Sequence, residues 1–276
     1  MAYRRDLIFD VGLHKGEDTE FYLKKGFEVV VFEANPDLVD HCKRHFHDSI
    51  SCRRLHVIEG AIAPATAGER IVFHKNLQKS EWGTIDARWV ERNQRLGSQS
   101  IDVEVERTDF AAVFRQYGIP FYLKIDIEGA DHVVLDELQR CDDRPRYISI
   151  EAEKVDFAQL TAELDALRRL GYTAFKAVQQ ASIPGMKIAT TALDGTPVRH
   201  VFADGASGPF GEDLSGPWLT YGECLRQFER IFKLYRLLGD DGVVYNLPGG
   251  THFVRGLARL VRKPLPGWYD MHARLP

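Results

Sequence analysis

Short apolar runs alternate with longer amphipathic stretches along the first two hundred or so residues. Residues 7–10 (LIFD) and 29–32 (VVVF) are apolar on both faces, as a strand buried in a parallel sheet must be. Residues 55–59, 121–125, 146–150 and 172–178 repeat the pattern. Between them lie stretches of helical period. One covers 17–25 and is closed by Gly26; one covers 36–47 and is opened by Asn35 and Pro36. A third is capped by Asp109 and ends at Gly118, and a fourth turns at Gly129 and shows Val133, Val134, Leu135 and Leu138 on one face. A fifth covers 157–170, with Phe157, Leu160, Leu164 and Leu167 at helical spacing and Gly171 as its stop. Strand and helix in alternation predict an α/β fold around a mostly parallel sheet. Residues 198–203 read as a seventh, antiparallel last strand. Residues 70–74 and 101–105 alternate with period two and predict an antiparallel pair, joined by a long polar loop at 75–100 that carries Glu81, Trp82, Gly83 and Trp89.

The pattern changes at Asp204. A Gly-, Pro- and Ser-rich loop leads to a helix at 221–238 with an apolar stripe through Leu225, Phe228, Phe232 and Tyr235. A second helix is expected at 251–261, made basic by Arg255, Arg259, Arg262 and Lys263. The tail gathers Trp268, Tyr269, Asp270 and His272 and is expected to fold back over the sheet edge. The organisation expected is a domain at 1–204 and a helical extension at 205–276 that packs on it as a cover. A net charge of −4 over 276 residues argues against a nucleic-acid binder driven by phosphate contacts. No run of eighteen apolar residues predicts a membrane span, and the N-terminal run is too short and acidic for a secretory signal. Cys42, Cys52, Cys141 and Cys224 form no C-x-x-C pair, which predicts free thiols in a reducing cytoplasm.

The candidate chemistry gathers where strands end. Asp10 closes the first strand; Gly12 and Gly16 follow, then an acidic helix start. Gly-x-x-x-Gly is not the dinucleotide fingerprint. It suits S-adenosylmethionine better than NAD, with Asp10 facing the ligand's ammonium and the glycines admitting it to the backbone. Glu33 ends the second strand, where an acid accepts hydrogen bonds from ribose hydroxyls. Asp126 and Glu128 bracket the end of a strand that contains Lys124, and Glu151 and Glu153 follow the next one. Charges inside a buried strand are expensive unless they pair or bind something, so a buried ion pair with a helix-capping acid is the plainer alternative. His41 and His45 have zinc-like spacing but no third ligand, which predicts a solvated helix face.

Taken together, FDVGLHKG (9–16), FEANP (32–36) and LKIDIEGAD (123–131) resemble the FkbM-type family of S-adenosylmethionine-dependent methyltransferases, over about residues 6–153. The resemblance implies a Rossmann-like class I methyltransferase fold: a seven-stranded, mostly parallel sheet with an antiparallel last strand, here with a C-terminal helical extension. It implies Asp10, Gly12 and Gly16 as the methionine-side turn and Glu33 as the ribose acid, with Asp126 and Glu128 at the junction of cofactor and acceptor. His14 stands in that turn where the family often has asparagine. Ala61, on the adenine side, follows Glu59-Gly60 where the family often has asparagine. Such families methylate hydroxyls of sugars, glycolipids or polyketide-type metabolites, so the expected partner is a small-molecule or glycan acceptor. A hydroxyl acceptor benefits from a base, for which Asp126, Glu128, Glu151 and His272 are the candidates. A variant adds Mg²⁺ held by Asp126, Glu151 and Glu153. The competing readings are an NAD(P)-dependent oxidoreductase and a non-catalytic S-adenosylmethionine-binding module.

Overall fold

The structure, a computed structural model, describes residues 2–127, 130–153, 156–238, 244, 247 and 268–276. The chain divides into two compact units, residues 1–148 with 187–200, and residues 149–186 with 201–276.

The first unit begins β1 (Tyr3–Val11), α1 (Glu17–Lys24), β2 (Glu28–Glu33), α2 (Pro36–His45), α3 (His47–Ser51) and β3 (Leu55–Glu59). β1 pairs in parallel with β2, and β2 with β3. An excursion follows: β4 (Ala61–Ile62), β5 (Arg70–Asn76), α4 (Ala87–Arg95) and β6 (Ser100–Thr108). Its three strands form a separate sheet in the order β4-β6-β5, with β5 and β6 antiparallel as their alternation predicts. The chain returns through α5 (Phe110–Tyr117) to β7 (Ile119–Ile125), which lies parallel to β1 on the side opposite β2. Then come α6 (Asp131–Gln139) and β8 (Tyr147–Glu151), a strand that the division between the units cuts. Beneath the ends of β1 and β2, Phe9 stacks on Phe114 at 5.3 Å, and Phe32 meets Phe9 at 5.5 Å. Burial of each such ring stabilises by about 1.5–3 kcal/mol, which fixes the strand ends that carry the chemistry.

The second unit contains α7 (Phe157–Arg169), β9 (Ala174–Gln179), α8 (Tyr221–Leu238) and β12 (Tyr269–Arg274). Between β9 and α8 the chain runs through β10 (Lys187–Thr191) and β11 (Pro197–Val201), which form a two-stranded sheet of their own. The main sheet has seven strands in the order β3-β2-β1-β7-β8-β12-β9, and β12 runs antiparallel to β9. The fold is therefore the expected mixed α/β one, with a seven-stranded, mostly parallel sheet and a C-terminal helix, α8.

Three elements differ from the sequence reading. The antiparallel strand is the tail, Tyr269–Arg274, not residues 198–203, which belong to the β10–β11 hairpin. The tail hid because Asp270 and His272 read as polar, yet both are buried in the strand. The polar segment at 75–100 is not all loop: Asp86 caps α4 by accepting the N–H of Arg88. Only Asn93 of that helix is buried, so no apolar period marks it. Residues 36–47 break after His45 into α2 and α3. The basic helix expected at 251–261 lies outside the described residues. Among those that are described, no helix is long and apolar enough to cross a membrane.

Candidate active site

β1, β2 and β7 end together. The Val11 carbonyl accepts the Asp126 N–H at 2.8 Å, and the Phe32 carbonyl accepts the N–H groups of Gly12 and Leu13, both at 3.1 Å. Gly12 has φ 92°, and a Cβ there would lie 1.9 Å from the Asp126 carbonyl oxygen. Gly16, with φ 87°, is the left-handed cap of α1, and a Cβ there would strike the Phe46 ring at 2.4 Å. Both positions thus require glycine, because an added Cβ would meet the protein itself and the backbone there is left-handed.

Behind the turn sits a buried charge cluster. Lys124 Nζ lies 3.4 Å from Asp10, 3.7 Å from Asp18 and 3.4 Å from Asp126, and it donates to the Gly12 carbonyl at 3.2 Å. Asp10 also accepts the Thr19 hydroxyl at 2.7 Å. Burial opposes the charge on Lys124, but Asp10, Asp126 and Asp18 outweigh it and hold the ammonium well above its ordinary range. Burial pushes the Asp10 carboxyl up, and Lys124 and Thr19 only partly offset this. Three carboxylates thus share the one Lys124 ammonium. Asp10, expected from the sequence to face the ligand's ammonium, is 0 % exposed and has Lys124 and Thr19 as its partners behind the turn. Asp126 is the outward member, with its side chain 42 % exposed.

The second-strand acid is also held in place. Glu33 accepts the Asn35 N–H at 2.8 Å on one oxygen and the His14 N–H at 3.0 Å on the other. Burial raises its pKa to about 7 in spite of those bonds. The Ala34 backbone bonds to it as well, and an ionised carboxylate with about four acceptor sites still has room for a hydroxyl donor beside these three N–H groups. The His14 ring lies between Glu17 Oε1 at 3.0 Å and Ser80 Oγ at 2.8 Å.

The remaining candidates divide by unit. Ala61 is buried against Ala63, Ile71, Phe73 and Val105, in the core between β4 and the β5–β6 pair. Glu128 lies outside the described residues. Glu151 and His272 belong to the second unit. His272 is 2 % exposed opposite Lys176 in the strand register, and burial, then Lys176, lowers its pKa to about 3. In the same unit the Glu153 N–H donates to Glu163 at 3.2 Å, and Glu153 accepts the Asp156 N–H at 3.2 Å. Among the described residues no group of three or more His, Cys, Asp or Glu is placed to hold a metal ion, so the Mg²⁺ expectation on Asp126, Glu151 and Glu153 has no support. Sequence reasoning passed over Asp18, Thr19, Glu17 and Ser80. The first three look like ordinary acids and caps of a first helical turn; the burial of Asp18 and Thr19 and the Glu17 contact with His14 are signals that only the fold supplies.

A sequence model of the methyltransferase FkbM domain matches residues 10–174, more than half of the chain, including the Gly12–Gly16 turn, Glu33 and β7 with Lys124. No match to a curated protein was found. Among solved structures, a methyltransferase FkbM from Methylobacillus flagellatus is 14 % identical over 55 % of this chain and 34 % of its own, with a TM-score of 0.29. An S-adenosylmethionine-dependent methyltransferase from Archaeoglobus fulgidus is 11 % identical over 98 % of this chain and 86 % of its own, with a TM-score of 0.38. The C-terminal domain of precorrin-6Y C5,15-methyltransferase from Rhodobacter capsulatus is 13 % identical over 72 % of this chain and 77 % of its own, with a TM-score of 0.37. These likenesses are remote, and the family rests on the sequence match. The match removes the oxidoreductase alternative: the chain belongs to the FkbM methyltransferase family and is an S-adenosylmethionine-dependent methyltransferase.

Proposed function

We propose that the protein methylates a hydroxyl of a sugar, glycolipid or polyketide-type metabolite, with S-adenosylmethionine held where β1, β2 and β7 end. The observation that carries this reading is the acidic rim of the first unit. Glu33 has lone pairs left for hydroxyls, and Asp126 is half-exposed beside an ammonium that three aspartates share. That donor set fits a ligand with vicinal hydroxyls at one end and positive centres at the other. Bound there, the cofactor supplies an activated methyl group. The chain binds and aligns: Glu33 takes the ribose hydroxyls, Gly12, His14 and Gly16 set the turn, and Ala61 backs the adenine side. Asp10 and Lys124 hold the turn from behind, and Asp126 meets the junction of cofactor and acceptor. Alignment of two reactants contributes ~7–11 kcal/mol to a barrier of this kind. His272 is a weak base with its low pKa, and its burial keeps it from an acceptor. The four cysteines are free, which suits a reducing cytoplasm.

The test is incubation with isotope-labelled S-adenosylmethionine and a panel of sugars, glycolipids and polyketide alcohols, read by mass spectrometry. A methyl ether on a panel member is expected. Labelling confined to nitrogen, or absent across the panel while the cofactor binds, would contradict the reading.

A further inference from the structure

The cofactor turn uses the His14 backbone, through its N–H on Glu33, and leaves the ring, held between Glu17 and Ser80, to another task. An ionised carboxylate only accepts hydrogen bonds, so the proton of the His14 ring resides on Nδ1, toward Glu17 Oε1 at 3.0 Å. The Nε2 lone pair then faces a hydroxyl, Ser80 Oγ, at 2.8 Å. Burial pushes the Glu17 carboxyl up, but its bonds to His14 and to backbone N–H groups bring it below its ordinary value, so it stays ionised near neutral pH. Its other oxygen accepts the Lys15 N–H at 3.1 Å, which holds the carboxylate from two sides. His14 itself has φ 53°, a left-handed conformation that is strained for a residue with a side chain. The His14 N–H bond to Glu33, at 3.0 Å, keeps it there. A strained residue thus links the ribose acid to an imidazole whose free lone pair meets an alcohol.

We propose that His14, oriented by Glu17, is the base that takes the proton of the acceptor hydroxyl, and that Ser80 Oγ marks the place where that hydroxyl binds. The proposal rests on the hydroxyl-methylating reading above. The methyl group's bond to sulfur breaks as its bond to the acceptor oxygen forms, leaving a neutral thioether, while the oxygen's proton passes to His14 Nε2 and from there to water. Glu17 stabilises the imidazolium so formed, as an orienting acid does for a catalytic histidine. The charged groups that act on the ring are Glu17 on α1 and Glu33 at the end of β2; Lys15 follows His14 in the chain, and Lys79, next to Ser80, lies over the Trp82 ring.

The alternative is a clasp, in which His14 merely pins the Ser80 turn to the cofactor turn. Three variants of the full chain separate the two: His14→Gln, Glu17→Gln and Ser80→Ala. The acceptor is whichever panel member gains a methyl ether. For a base, His14→Gln lowers kcat by about 10²–10⁴-fold and removes the acid limb of the pH profile, while calorimetry still finds S-adenosylmethionine bound. Ser80→Ala does the opposite: it vacates the seat and lowers KM for the acceptor. Glu17→Gln, which keeps the ring but not its orienting carboxylate, should lower kcat by less than His14→Gln does and leave KM for the acceptor unchanged. The proposal is overturned if His14→Gln and Ser80→Ala lose activity alike, if the acid limb survives in His14→Gln, or if Glu17→Gln leaves kcat at the parent value. If no panel member is methylated on oxygen, the parent reading fails and this one with it; a methylated panel member with a clasp-like pattern removes this one alone.

Discussion

At the scale of single residues, the cluster around Lys124 decides most. Removal of one partner from a buried ion pair leaves charge without compensation, at a cost of about 3–5 kcal/mol. Lys124→Met, which removes the ammonium beside Asp10 and Asp18, should lose that much in urea unfolding. The loss should be smaller near pH 5 than near pH 8. Asp10 already has a raised pKa in the folded state; without the ammonium it rises further, and a group with a raised folded pKa favours folding only below it. Gly12→Ala should destabilise by more than the ~0.4–1 kcal/mol at stake in an unstrained glycine exchange, because the new methyl would meet the Asp126 carbonyl. Equal stability to the parent chain in the same unfolding measurement would contradict the packing role. The sequence made Asp10, Gly12, Glu33 and Asp126 legible through position alone, since strand ends and turns announce themselves. It did not reveal why the glycines are needed, nor that Ser80 meets His14 across 66 residues of chain. A contact between distant positions leaves no periodicity to read.

At the scale of elements, the tail carries the lesson. Strands flanked by helices in the first unit could be read from their apolar runs, and β3 falls where it was expected. β12 could not, because alternate polar residues look like a surface tail until a sheet places neighbours on both sides. β12 stands between β8 and β9 in the strand order, and the Ala152 N–H donates to the Tyr269 carbonyl at 2.9 Å. Deletion of residues 268–276 therefore removes hydrogen-bond partners all along β9. Hydrogen exchange should show the β9 amides losing protection while those of β1 and β2 keep theirs. Persistent protection in β9 would mean that the tail is not part of the sheet in solution. α4 makes the complementary point: its Trp89 and Val90 are only partly buried and its one buried residue is the polar Asn93, so no apolar period marks it.

At the scale of the whole molecule, a few buried groups set the response to pH. Burial raises Glu163 to about 7, helped by the charges of Glu153 and Glu151 and opposed by hydrogen bonds. A carboxyl raised in the folded state stabilises below its unfolded pKa and loses that contribution as pH climbs through the folded value. Glu163→Gln should accordingly raise the melting temperature near pH 8, by the equivalent of about 1–3 kcal/mol, and change it little near pH 4. His272 works from the other side. Its folded pKa is depressed to about 3, so its contribution is present above its unfolded pKa and fades as pH falls toward that value. The central claim, that the joint end of β1 and β2 grips the ribose of S-adenosylmethionine, has a direct test in the same terms. Glu33, raised to about 7, must ionise to accept two hydroxyls. Calorimetric titration of the full chain with S-adenosylmethionine should show affinity growing from about pH 6 to about pH 8, and Glu33→Gln should abolish that growth and weaken binding by the ~1.5–3 kcal/mol of a charged hydrogen bond. Absence of binding, or a Glu33→Gln protein that binds as tightly as its parent with the same pH dependence, would contradict the account.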